Sequence, residues 1–162
     1  MSSHPYSASN LQTLGILLER AEAERDEALK AVQEAQLRAA QARDQADQLG
    51  QYRVDYQQRW TQQFARAGTM DIVGCYQNFG GKLDQAIDSQ GQVAQHAEMR
   101  VERARAVLRD KEMRAAAIAK LIERRRLESG RAVQKAEQKQ SDEQSARTAL
   151  AGGFHPLGRL RA

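Results

Sequence analysis

The chain has 162 residues, 28% of them charged and only 5% aromatic, with two prolines, one cysteine and a formal net charge of +4. Alanine, glutamine, glutamate, arginine and leucine fill its interior; this mixture forms helix readily but supplies few bulky side chains, which excludes a thick-cored globular domain and a sheet protein alike. No apolar stretch reaches the roughly 18 residues that span a bilayer, and the N-terminus lacks the basic-then-apolar pattern of a secretory signal. A single cysteine, Cys75, excludes an internal disulfide and a multi-cysteine zinc site, so a reducing cytoplasm is the expected compartment.

Residues 1–10 read as a flexible polar segment closed by Ser9-Asn10, either of which can cap a helix. From Leu11 a 3–4 spacing runs without a skip. Leu11, Leu18, Arg25, Val32, Ala39, Ala46, Arg53 and Trp60 hold one seam position, and Leu14, Ala21, Ala28, Ala35, Ala42, Leu49, Tyr56 and Gln63 hold the other. Thirteen of these 16 are apolar, so the stretch demands a partner helix. Helix one is expected over about 11–65 and a turn over about 66–70, where Gly68 permits a left-handed backbone and Thr69 can cap the second helix, with Asp71 favourable in its first turn.

Helix two is expected over about 71–150. Its seam runs Val73, Tyr76, Gly80, Leu83, Ile87, Gln90, Ala94, Ala97, Val101, Ala104, Leu108, Lys111, Ala115, Ile118 and Ile122, twelve of the 15 being apolar, and decays beyond Ile122. Two helices joined by so short a turn must lie antiparallel. The expected fold is therefore all-α: a long two-helix antiparallel coiled-coil hairpin over residues 11–151. Folding about Gly68 pairs residues whose numbers sum to about 136, which sets Leu11 opposite Arg125, where the second seam fades. Arg126 to Leu150 is left as a C-terminal helical overhang, and residues 152–162, with Gly152-Gly153 and Pro156, as a flexible tail. The paired part is expected to be a rod on the order of 80 Å long. Gly80-Gly81 inside helix two predicts a local kink or fray.

Catalysis has little to stand on. His4, His96 and His155 lie far apart, no histidine-based metal or acid–base site assembles, and Gly80-Gly81-Lys82 lacks the pattern of a phosphate loop. No enzyme activity, metal or cofactor is expected. Residues 1–70 carry eight basic and nine acidic side chains and residues 71–162 carry 17 and 12, the surplus lying in Arg100 to Lys135 with its run Arg124-Arg125-Arg126. Such a stripe suits an acidic protein, anionic lipid or nucleic acid; without interleaved aromatics it does not read as a nucleic-acid surface.

The informative constellation lies beside the turn. Gln45, Leu49, Tyr52 and Tyr56 close helix one, and Tyr76, Phe79, Leu83, Ala86, Ile87 and Gln90 open helix two. The folding rule brings both stretches into one patch. Leu49, Tyr56, Tyr76, Leu83, Ile87 and Gln90 fall on the seam and suit core packing, whereas Tyr52, Phe79 and Ala86 fall off it, so an apolar strip extends into solvent.

Leu49-x-x-Tyr52-x-x-x-Tyr56, then Tyr76-x-x-Phe79-x-x-x-Leu83-x-x-Ala86-Ile87-x-x-Gln90, then Glu137-Gln138-Lys139-x-x-Asp142-Glu143, taken in order over about residues 10–147, resemble the flagellar export protein family FliJ. The resemblance implies a soluble component of the flagellar type III export apparatus, serving motility, with a hairpin similar to the gamma stalk of rotary ATPases. It implies three partners: the export ATPase FliI, the export gate protein FlhA, and export chaperones. It implies a cytoplasmic chain peripheral to the inner face of the cell membrane. By position, Phe79, Leu83, Ala86 and Gln90 match the strip offered to the gate, with Gln45, Leu49, Tyr52 and Tyr56 beside it. The basic overhang, with Arg124, Arg125, Arg126 and Arg131, would face the ATPase ring. Gly80-Gly81 and the tail from Gly153 depart from the family pattern. A coiled-coil scaffold without a flagellar role is the alternative.

Overall fold

A computed structural model describes residues 5–153. Two helices account for almost all of them: α1, Pro5–Ala67, and α2, Met70–Gly152, packed against each other as an antiparallel hairpin with no strand among the described residues. Helix α1 begins at Pro5 rather than at Leu11. A proline at the first helical position gives up an amide that would have no partner anyway, and its fixed φ already suits the helix. Ser9 is thus not a cap but a residue of the helix, its carbonyl accepting the Thr13 hydroxyl at 2.9 Å. The flexible segments expected at the two termini lie, for residues 1–4 and 154–162, outside the described residues.

Only Gly68 and Thr69 connect the helices. Thr69 ends the turn as expected, its carbonyl accepting the amide of Val73 at 3.1 Å as the first bond of α2. Gly68 acts differently from expectation, because its backbone is not left-handed; it supplies room. A Cβ there would stand 3.3 Å from Cδ1 of Phe64.

The chain divides into two compact units, Arg20–Ala115 and a second made of Met1–Glu19 with Ala116–Ala162. In the first, Ala21, Ala28, Val32, Ala39 and Ala42 of α1 and Leu83, Val101 and Ala115 of α2 are buried. All are positions of the predicted seams, because a 3–4 repeat keeps returning the same face to the partner. Alanine dominates this core, so each layer removes little apolar area from water. Three cross-helix pairs follow the predicted pairing rule, and a fourth, Arg43 with Glu98, reaches about one turn beyond it. Gln90 Nε2 donates to Gln45 Oε1 at 3.1 Å, Arg53 Nε to Asp84 Oδ1 at 2.9 Å and Lys111 Nζ to Glu24 Oε2 at 3.1 Å, while Arg43 pairs with Glu98.

Two local expectations are corrected. Helix α2 runs unbroken through Gly80-Gly81, with no fray. Gln63 is exposed, and Phe64 is half-buried in its place. In the second unit Ile122 is buried and Leu11, Leu14, Leu18 and Ile118 are half-buried, but from Gly130 to Gly153 every residue of α2 and its end is exposed. The overhang is helix without a covered face.

Candidate partner-binding site

Aromatic residues recur at four-residue steps near the end of α1: Tyr52, Tyr56, Trp60 and Phe64. That spacing stacks side chains along one face of a helix. Ring centroids of Tyr52 and Tyr56 lie 6.5 Å apart, those of Tyr56 and Trp60 5.9 Å, and those of Trp60 and Phe64 5.2 Å. Tyr76 of α2 enters this ladder 5.5 Å from each of Tyr56, Trp60 and Phe64. Phe79 closes it, 4.8 Å from Tyr56. The pairs range from stacked (Tyr52–Tyr56, Tyr56–Tyr76) to edge-on (Tyr56–Trp60, Phe64–Tyr76), and contacts of these kinds add about 0.5–1.5 kcal/mol each beyond area burial.

The eight residues matched to the patch come together, but at different depths. Phe79 is 41% exposed and Tyr52 48%, and Ala86 and Gln45 are exposed as well. Leu49, Tyr56 and Gln90 are half-buried, and Gln90 also reaches the carbonyl of Ala42 at 3.5 Å. Leu83, 8% exposed, belongs to the core between the helices. The exposed members of the patch are therefore Phe79, Tyr52, Ala86 and Gln45, and Leu83 is buried.

Arg53 is the residue whose importance sequence reasoning did not identify. It occupies a seam position on α1, and its guanidinium lies against Gly80, where a Cβ would stand 3.3 Å from Nη2 and 3.6 Å from Cζ. Besides the Asp84 bond, Nη1 is buried and lacks a hydrogen-bond partner. The hydrogen bond to Asp84 foremost, and after it the nearness of Tyr76, holds this guanidinium still more firmly protonated than usual. Gly80 is thus a seat for a flat cation, and the signal that could have shown it was two misfits on facing seams, one arginine and one glycine, at matching heights. Trp60 and Phe64 were legible in the four-residue spacing but were not assigned to the patch.

Farther along the same unit Glu24 gathers cations. Lys111 bonds it, with Arg114 at 3.9 Å and Arg20 at 3.8 Å. The Lys111 hydrogen bond foremost, then its charge and those of Arg114 and Arg20, lowers the Glu24 carboxyl below its ordinary 4.5. The four arginines assigned to a ring contact, Arg124, Arg125, Arg126 and Arg131, are exposed on α2 in the second unit and make no ion pair among the described residues.

Chemically, the described residues hold no group of three His, Cys, Asp or Glu side chains fit for a metal. Among the described residues no helix is long and apolar enough to cross a membrane. Exposed aromatic side chains grouped on a two-helix support are the kind of surface at which proteins bind one another. Comparison with curated proteins and with solved structures found no match. A protein-family model does match: the one described as flagellar FliJ protein, over residues 10–153.

Proposed function

The chain belongs to the flagellar FliJ family, components of the flagellar export apparatus, and from that premise we propose that it is the stalk that couples the export ATPase to the export gate. The gate protein FlhA docks on the patch beside the turn. The ring of the export ATPase FliI receives the basic stretch Arg124, Arg125, Arg126 and Arg131, and the chain also handles export chaperones, peripherally at the inner face of the membrane. The observation that carries this reading is the exposed edge of Phe79, held in place from beneath by Tyr56 at 4.8 Å. An aromatic fixed in this way gives a partner contact area at little entropic cost, as interface anchors do. The arginine stretch suits acidic residues around a ring opening, and contact of that kind weakens as salt rises.

The test is motility together with capture of the gate's cytoplasmic part. Phe79→Ala with Tyr52→Ala abolishes swimming and gate capture while helix content by circular dichroism stays near that of the parent and the melting midpoint falls by only a few degrees, the cost of the two ring contacts to Tyr56. Normal swimming at normal expression overturns the reading. Leu83 is left out of the variant because its truncation opens the core, at a cost of about 2–5 kcal/mol, and confuses folding with contact.

A further inference from the structure

Within the unit Arg20–Ala115, α2 carries a second apolar stripe besides its seam. Ile72, Phe79, Ala86, Val93, Arg100, Val107 and Arg114 recur every seventh residue, each just before a seam residue, and all seven are exposed. Five of them are apolar, with Ile72 38%, Val93 49% and Val107 49% exposed. The other flank of the seam reads Gln77, Asp84, Gly91, Glu98, Arg105 and Glu112, without one apolar side chain, and Asp84 and Glu98 there pair across to α1. The apolar arc of α2 is therefore widened on one side only. A helix with one neighbour needs two apolar positions per heptad; three per heptad is the pattern of a helix packed between two neighbours.

The stripe has a facing wall on α1. A recess of about 120 Å³ is lined by Ala31, Glu34, Ala35, Arg38, Ala97 and Arg100. Its floor is alanine, low enough to admit a bulky side chain from above. Neither Arg38 nor Arg100 makes an ion pair among the described residues, so the rim is basic on balance, with Glu34 as the one acidic group lining it.

We propose that this groove, from Phe79 to Val107, receives a third helix: an amphipathic helix of another protein, with apolar residues at heptad spacing and carboxylates that meet Arg38 and Arg100. The four heptads from Phe79 to Val107 fit a segment of about 28 residues. A second copy of this chain is the poorer occupant, because it would bring the same arginines to the same groove. The groove shares Phe79 and Ala86 with the patch at the turn and extends past it; Val93, Val107, Arg38 and Arg100, on which the test turns, lie outside that patch.

The probe is a designed four-heptad helical peptide with leucine on its seam and glutamate on both flanks, whose like charges keep it from pairing with itself. Its twin carries lysine on the flanks. Titrated calorimetrically into the full chain, the glutamate peptide binds and the lysine twin does not. Val93→Asp with Val107→Asp weakens binding roughly tenfold or more, and Arg38→Glu with Arg100→Glu does so as well, because each removes one half of the recognition. All four positions are exposed, so both variants keep the parent's helix content and melting midpoint. Absence of binding to the parent, equal binding to the parent and both variants, or equal binding of the lysine twin overturns the proposal. So does sedimentation showing that the chain self-associates through Val93 and Val107, which would make the occupant a second copy. Capture of the gate's cytoplasmic part by the Val93 and Val107 variant, which keeps Phe79 and Tyr52, reads the gate contact separately.

Discussion

Arg53 and Gly80 are each a poor choice for a coiled-coil seam, and together they make a good one. The glycine lacks the Cβ that would crowd the guanidinium at 3.3 Å, and the guanidinium fills the space that an alanine would only partly fill. Gly80 and Gly81 are adjacent and both helical, so alanine at either should gain about 1 kcal/mol of helix propensity. Gly81 has open space around it, and Gly81→Ala is expected to raise the melting midpoint by a few degrees. Gly80→Ala is expected to raise it less or to lower it, because Arg53 is tethered to Asp84 at 2.9 Å and must shift. In an Arg53→Ala background the two glycines should behave alike; if they still differ, the seat is not what distinguishes them. Glu24 gives a second residue-level expectation. Its carboxyl titrates below 4.5 when folded and near 4.5 when unfolded, so the unfolded chain takes up the proton first as pH falls. The stability it contributes is present above about 4.5 and is lost as pH drops through the lower folded value. The midpoint of the parent should therefore fall on acidification in that window. Glu24→Gln should show a lower midpoint at neutral pH and a shallower acid decline, read by thermal melts across pH.

At the scale of the helices, the heptad repeat was enough to place the core because burial follows periodicity closely when only one partner face exists. All fifteen predicted seam residues of α2 are buried or half-buried, including Gly80, Gln90 and Lys111, which no hydrophobicity argument favours. The repeat misplaces one seam residue near the turn, where a three-residue step from Trp60 leads to Gln63 but Phe64 is the one that packs. Close to the connection the helices need not hold the supercoil, and a four-residue step lets Phe64 fill the room above Gly68. The patch was legible in its membership, since the pairing rule joined its two halves. Its depth was not, because whether Leu83 or Phe79 faces water depends on where α1 presses, and spacing along one helix does not say. The start of α1 differs for another reason: Ser9-Asn10 suits a cap, yet the helix already runs through that pair from Pro5, where a fixed φ favours helix.

At the scale of the whole chain, α2 outlasts α1, and its stretch from Gly130 onward has no covered face. A chain ending at Gly130 is therefore expected to melt within a few degrees of the full chain while losing the helical signal of the missing residues. A large drop in midpoint would mean that the exposed stretch stabilises the rest. The placement of the rings has a further consequence, for the order in which the chain folds. Trp60 and Tyr76, whose rings meet, are separated by 16 positions, whereas Glu24 and Lys111, bonded to each other, are separated by 87. Loop closure is cheapest where the separation is least, and here that place also holds the bulkiest contacts. The hairpin should close as a zip does, from the aromatic end, each alanine layer joining only once the one before it is set. Stopped-flow kinetics would show it: Trp60→Ala slows folding, whereas Val101→Ala, a late tooth of the zip, chiefly speeds unfolding.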